Sequence, residues 1–305
     1  MNKKYYTLND YLRNRFGCRV QKITVDAGLT CPNRDGTVGY GGCIYCNARG
    51  SGTGAITHMT IKEQILQGKN RLARRYKAKK FLVYFQAHTN TYAPIPILKQ
   101  LYEQALSVPD VVGLCIGTRP DCVSDDVLDL LESYVNNYLI WIEYGLQSIH
   151  DKTLDIINRG HHSKAFIDAV LNTHNRNILT CAHLILGLPG ENRTHVIETA
   201  EAVAILPVEA VKLHLLYVVK DTPMETLYRK GQYQCLYPSQ YADWVCDVLE
   251  RLPETTIIQR LTGDPHPEEL VAPSWALNKH ATLELIHQHM AHRNTWQGKK
   301  FSLHG

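Results

Sequence analysis

The sequence predicts an α/β fold, a partial (β/α)6 barrel with a C-terminal capping extension. Three observations predict it. Short β-branched runs alternate with helical patterns at a period of roughly 30 residues. The chain has 305 residues and is 44% hydrophobic, enough for one large core. Polar, chemically useful residues follow every expected strand, and parallel α/β folds place their sites beyond the C-terminal ends of the strands.

The expected strands cover 20–25, 81–85, 112–116, 138–144, 180–186 and 211–218, with helices expected over 61–77, 96–106, 125–134, 152–157, 163–173 and 192–205. Ser124 before Asp125 and Asp126 reads as a helix N-cap with an acidic first turn. Gly160 and Gly231 read as stops after helical runs. Six βα units imply a parallel sheet with right-handed crossovers. Six strands are fewer than the eight of a closed barrel, so an open barrel fits. A doubly wound sheet is the rival that pattern alone leaves standing. The loops after the strands carry, in turn, a cysteine-rich segment, Gln86 to Thr91, Gly117 to Asp121, Gly145 to Ser148, and Gly187 to Glu191. The sixth strand itself carries Lys212 and His214.

The net charge is +4 with 20% charged residues, a balance that permits an anionic partner without demanding one. There is no apolar run of the ~18 residues a membrane span needs. The lysines near the N-terminus have no apolar run behind them, so a secretory signal is not expected. These features predict a cytoplasmic protein without a membrane partner. Nine cysteines are present. An odd count at uneven spacing argues against a disulfide framework. Cys18, Cys115, Cys122, Cys181, Cys235 and Cys246 read as ordinary thiols, which pack as small hydrophobes.

Cys31, Cys43 and Cys46 differ, because they stand together in a loop with glycines at 36, 39, 41 and 42. Glycines let a backbone fold tightly around a metal centre. Three thiolates suit an iron–sulfur cluster with one iron left open. Zinc is the rival, but a structural site wants four protein ligands, and the available fourth would be His58. A redox pair of Cys43 and Cys46 is also open, although it leaves Cys31 without a role.

The segment CPNRDGTVGYGGCIYC resembles the cluster loop of the radical S-adenosylmethionine (SAM) superfamily. The common motif there is C-x-x-x-C-x-x-C. Here eleven residues separate Cys31 from Cys43, while the terminal C-x-x-C and the aromatic Tyr45 are kept. Such an expanded spacing is similar to that of the elongator catalytic subunit, a tRNA wobble-uridine enzyme. The likeness continues through YFQAHTNTYAP, GTRPDCV, EYGLQSIHDKTLDIINRGH, HLILGLPGE and RLTGDPHPEELVAPSW. It covers nearly the whole chain and is nearest to the YhcC/YtqA-like bacterial group. The likeness does not extend to the acetyltransferase half of the elongator subunit, so that half of its chemistry is not expected.

The resemblance implies a barrel of radical SAM type over 1–225 and an extension over 226–305, packed as one unit. It implies a [4Fe–4S] cluster on Cys31, Cys43 and Cys46, and SAM bound by Tyr45, Gln86, Asn90, Gln147, Arg159, His183, Gly187 and Gly190. The usual carboxylate after the second strand is replaced by Gln86 and Asn90. Lys212, His214 and Glu143 are the expected catalytic groups. Thr118, Arg119 and Asp121 are expected beside them, while Arg260, Asp264 and Trp275 belong to a segment able to close the barrel. An electron donor such as flavodoxin or ferredoxin is the expected partner. Residues 69–80 hold seven cations in twelve positions, and Arg293, Lys299 and Lys300 form a smaller group. Such runs are either solvated faces or contacts to an RNA backbone. Kinship to the elongator subunit makes tRNA the leading expected substrate. The sharper expectation is trimming of a carboxymethylaminomethyl group on wobble uridine to aminomethyl. A radical SAM enzyme for a small metabolite or peptide, and a zinc-stabilised RNA-binding protein, stay open.

Overall fold

The computed structural model describes residues 4–50 and 59–302. β1 (Val20–Val25), β2 (Lys80–Phe85), β3 (Val111–Thr118), β4 (Leu139–Gln147), β5 (Leu179–Leu186) and β6 (Ala210–Leu215) pair in parallel and in chain order. The expected sixth strand, 211–218, divides in two. After Leu215 the chain leaves the sheet, and β7 (Val218–Val219) follows separately. β8 (Ile257–Arg260), from the C-terminal segment, then adds in parallel to β6 as a seventh strand. β9 (Leu270–Ala272) pairs antiparallel with β7. The partial barrel is borne out, with seven strands in place of six.

The helices are α1 (Leu8–Phe16), α2 (Ile61–Tyr76), α3 (Ile95–Leu106), α4 (Asp125–Glu132), α5 (Asp151–Ile156), α6 (Ser163–Thr173), α7 (Arg193–Ala204), α8 (Pro223–Arg229), α9 (Pro238–Arg251) and α10 (Lys279–His292). Ser124 caps α4 as expected, its hydroxyl accepting from the Val127 amide. Thr60 and Glu63 form a reciprocal capping box on α2. Gly160 and Gly231 have φ of +72° and +70°, where a β-carbon strains the backbone.

Strand side chains alternate between two interiors. One set, including Val83, Ile116, Ile142, Leu184 and Leu213, packs outward under the helices. The other, including Leu82, Leu139, Trp141, Cys181 and Ala210, fills the N-terminal half of the barrel. α1 closes that end as a floor. Leu12 is buried there, and Tyr11 meets Trp141 edge to face with centroids 5.8 Å apart. Gln297 stitches both chain ends to the floor. It accepts from the Tyr6 amide at 2.9 Å and donates to the Thr256 carbonyl at 2.8 Å. The seam between β1 and β8 is crossed by side chains, with Lys22 Nζ donating to Gln259 Oε1 at 2.5 Å. Among the described residues no helix is long and apolar enough to cross a membrane.

Candidate active site

The cavity opens at the C-terminal ends of the strands, and Cys31, Cys43 and Cys46 line it. Local hydrogen bonds shape their loop. Asn33 Nδ2 donates to the Asn158 carbonyl at 2.6 Å, and Asn158 Nδ2 donates to the Gly42 carbonyl at 2.8 Å. The Ile44 amide donates to the Ile157 carbonyl at 3.0 Å. Arg34 Nη2 donates to the Cys46 carbonyl at 2.9 Å and also to that of Asn47. Gly42 has φ of +81°, and a β-carbon there would lie 3.0 Å from Arg34 Nε. The loop's glycines therefore bring Arg34 under the last cysteine.

Arg159 sits behind Cys43, buried, with Nη1 3.6 Å from the sulfur and Nη2 donating to the Gly145 carbonyl at 2.8 Å. Asn33 Nδ2 lies 3.9 Å from the same sulfur. Two N–H donors thus face the Cys43 sulfur. Arg119 is buried and steadies Arg159, its Nη1 donating to the Arg159 carbonyl at 2.7 Å. It also forks onto Asp121 at 2.9 and 2.7 Å. Burial raises the Asp121 carboxyl, but this fork outweighs burial and holds it below the usual range. Burial, then the neighbouring Cys43, pushes the Cys46 thiol up to about 11.

The donor set fits a cluster better than one ion. Tetrahedral zinc with Zn–S near 2.3 Å holds sulfurs about 3.8 Å apart. Among the described residues, the one group of three His, Cys, Asp or Glu side chains with ligand atoms all within 4.8 Å of one another is Glu143, Cys181 and His183. The three loop sulfurs do not form such a group, and three thiols without a fourth protein ligand suit a cluster with one iron left open. His58, the alternative fourth ligand, lies outside the described residues.

Below the cysteines the interior turns polar. Glu143 is fully buried and its carboxylate is saturated. Lys22 Nζ lies 2.6 Å from Oε1, while Lys212 Nζ and His183 Nε2 lie 2.7 and 2.8 Å from Oε2. Burial pushes Glu143 up, yet Lys212, Lys22 and His183 together hold it well below the carboxylate range. Burial also pulls Lys212 down to about 8 against the opposing pull of Glu143. His183 falls to about 4, through burial first and Lys212 second. His214 is driven well down by burial and then by Arg260. Both imidazoles are therefore neutral near pH 7. Tyr84 lies beneath the Lys212 ammonium, 4.1 Å from Nζ to the ring centroid. The two ammonium groups on Glu143 leave no place for a cation at the Glu143, Cys181 and His183 group.

Tyr45, Gln86, Gln147, Arg159, His183, Glu143, Lys212, His214, Thr118 and Arg119 all line the cavity, and Arg260 of the C-terminal segment joins them. Three expected cofactor residues do not. Asn90 is fully buried and turns away, its Nδ2 donating to the Gly117 carbonyl at 2.9 Å. Gly187 is covered by the C-terminal extension, its carbonyl accepting from the Tyr233 hydroxyl at 2.8 Å. Gly190 packs towards Ile156. Ile185, near the end of β5, reaches the cavity instead. Asp264 pairs with Lys279 at 3.1 Å, and Trp275 donates to the Leu236 carbonyl at 3.2 Å. Neither lines the cavity.

The basic run also falls elsewhere. Arg74 to Lys80 spans the end of α2 and the start of β2. That is the floor end of the barrel, a strand length of roughly 20 Å from the mouth. Lys69 is held by Asp110 at 2.6 Å. Sequence reasoning missed Lys22, Tyr84 and Arg34. Lys22 had a readable signal, since it shares the period-2 face of Val20, which joins the inner core.

With this geometry in place, comparison with known proteins is direct. The family model for the Radical SAM superfamily matches residues 31–203, and that for the Radical_SAM C-terminal domain matches 208–292. The chain is 43% identical over 300 residues to "Uncharacterized protein YtqA" of Bacillus subtilis, covering 98% of this chain and 93% of that one. It is 40% identical over 269 residues to "Protein YhcC" of Escherichia coli, covering 88% and 86%. The archaeal Elp3 of Methanocaldococcus infernus superposes with a TM-score of 0.70 at 16% identity, over 91% of this chain and 64% of that one. That last likeness is one of fold.

Proposed function

The chain belongs to the radical SAM superfamily, in its YhcC/YtqA-like group, and from that premise we propose a tRNA-modifying role for its cavity. It is an enzyme, and its cofactors are a [4Fe–4S] cluster and SAM. Cys31, Cys43 and Cys46 would hold the cluster. Bound there and given one electron by an external reductant, the cluster and SAM would supply the radical chemistry that abstracts a substrate hydrogen atom. The chain's own residues bind, orient and exclude water. Arg159 and Asn33 direct N–H groups at Cys43. Tyr45, Gln86, Gln147 and His183 form the walls next to the cysteines. Lys212, His214 and Glu143 lie deeper, where Lys212 can hold or release a proton near neutral pH.

The observation that carries the cofactor assignment is the set of three thiols, Cys31, Cys43 and Cys46, lining one cavity at the mouth. The substrate proposal rests on the motif kinship with the elongator catalytic subunit. Its specific form is trimming of a wobble-uridine carboxymethylaminomethyl group to aminomethyl. We further propose that 1–225 is the catalytic barrel and 226–305 an extension packed on it. A flavodoxin or ferredoxin would be the reductant, in the cytoplasm. One observation favours a second reading, a small metabolite or peptide as substrate: the long basic run lies at the floor end, far from the mouth.

The experiment is anaerobic reconstitution with iron and sulfide, then dithionite and SAM, with and without bulk tRNA. 5′-Deoxyadenosine formation and the nucleosides of digested tRNA are followed by mass spectrometry. A tRNA-dependent rise in 5′-deoxyadenosine with a changed wobble nucleoside is expected. Unchanged tRNA beside ample 5′-deoxyadenosine would transfer the proposal to the small-substrate reading.

A further inference from the structure

The deep wall of the cavity holds more positive charge than its acids answer. Lys22, Lys212 and Arg260 are cations, and Glu143 is the anion among them. Glu143 is already shared by both lysines and His183. Arg260 has no carboxylate within ion-pairing distance among the described residues. Its Nη2 rests on the His214 ring, 3.1 Å from Nε2, and its Nε is buried with no hydrogen-bond partner. His214 is kept neutral, so it supplies no counter-charge. A half-buried guanidinium whose Nε is cut off from water without a partner is better satisfied when an anion meets it.

The backbone shows how Arg260 comes to face inward. Ile257 packs with the inner core and Ile258 with the outer one, and Gln259 reaches inward to Lys22. Alternation would send Arg260 outward. Instead the β6–β8 register shifts between Val211 and Lys212, so Ile258 pairs with Val211 and Arg260 with Lys212. Such an irregularity re-aims a side chain, and irregularities of this kind gather beside active sites. Here the result is Arg260 next to Lys212 and His214 on one wall.

We propose that Arg260 and Lys212, with His214 against the Arg260 guanidinium, form a subsite for an oxyanion carried by the substrate, a carboxylate or a phosphate. A guanidinium fork suits either group, and the neutral imidazole adds one more donor. The subsite rests on the reading that this cavity receives substrate. It fixes a chemical feature of that substrate whether tRNA or a small molecule delivers it.

The test needs no turnover, so its failure leaves the radical chemistry standing. Thermal unfolding of reconstituted protein is followed in added phosphate or acetate, with chloride at matched ionic strength as the screening control. Ligand that binds only the folded state raises Tm. A Tm rise of a few degrees with phosphate or acetate beyond that with chloride is expected for wild type. It should be lost in Arg260→Gln and partly kept in Arg260→Lys. A larger rise with phosphate points to a phosphorylated substrate, and one with acetate to a carboxylate. In parallel, phenylglyoxal labelling of wild-type Arg260 is read by peptide mass spectrometry. The more effective anion should slow it several-fold. Equal Tm shifts in wild type and Arg260→Gln, or labelling that neither anion slows, would overturn the subsite.

Discussion

β4 carries two environments on one face. Leu139 and Trp141 enter the apolar floor, packed by Leu12, Leu82 and Ala210. Glu143, Gly145 and Gln147, the next three positions on that face, line the cavity. The floor's interior is apolar, with Trp141 fully buried. The mouth is held by directed bonds, with Asn33, Asn158 and Arg34 tying the cysteine loop and Arg119 steadying Arg159 behind it. Depth along a strand thus separates what keeps the fold from what performs the chemistry. A residue's place on that axis should decide which property its loss removes.

The sharpest break is at the mouth. Cys43→Ala should lower bound iron and sulfide, and with them 5′-deoxyadenosine, by more than about tenfold. Its Tm without cluster should stay within a few degrees of apo wild type. At the floor the pattern should invert. Trp141→Ala should cost about 3–5 kcal/mol in denaturant unfolding, while the folded fraction still assembles the cluster. A large loss of both properties in either variant would dissolve the distinction.

The intermediate layer should couple the two. His183 is pulled from its ordinary value to about 4 by burial and then by Lys212. The unfolded chain therefore binds more protons than the folded one between about 4 and 6.5, and stability must rise with pH over that window. Wild type should lose this contribution on acidification from pH 6.5 towards 4. His183→Gln should lose less, and the difference between the two unfolding profiles isolates the imidazole. The smallest effect belongs to the outer surface. Arg74→Ala with Arg75→Ala should leave 5′-deoxyadenosine formation within about twofold of wild type, since exposed charges far from a site contribute little. A steep loss there, seen with tRNA alone, would mean that RNA wraps around to the floor.

Much of this was legible in the sequence. Alternation gave the strands because β-branched runs leave few other options, and three clustered cysteines with glycines marked the cluster loop. What stayed hidden has physical causes. β8 is four residues long, too short for periodicity to register. Lys22 lies in a strand whose charge reads as a solvent face until Glu143 is brought beside it. Asn90 and Gly187 sit in polar loops of the expected kind, but Gly117 and Tyr233 take up their hydrogen bonds. A linear run of cations carries no sign of which end of the barrel it will occupy.

Gln297 ties the segment before α1 to the segment after α10 at the floor, bonded to the amide of Tyr6 and, through its own amide, to the carbonyl of Lys4 at 2.9 Å. These two stretches, far apart in the chain, are therefore one knot at the pole opposite the chemistry, and loosening either would loosen both.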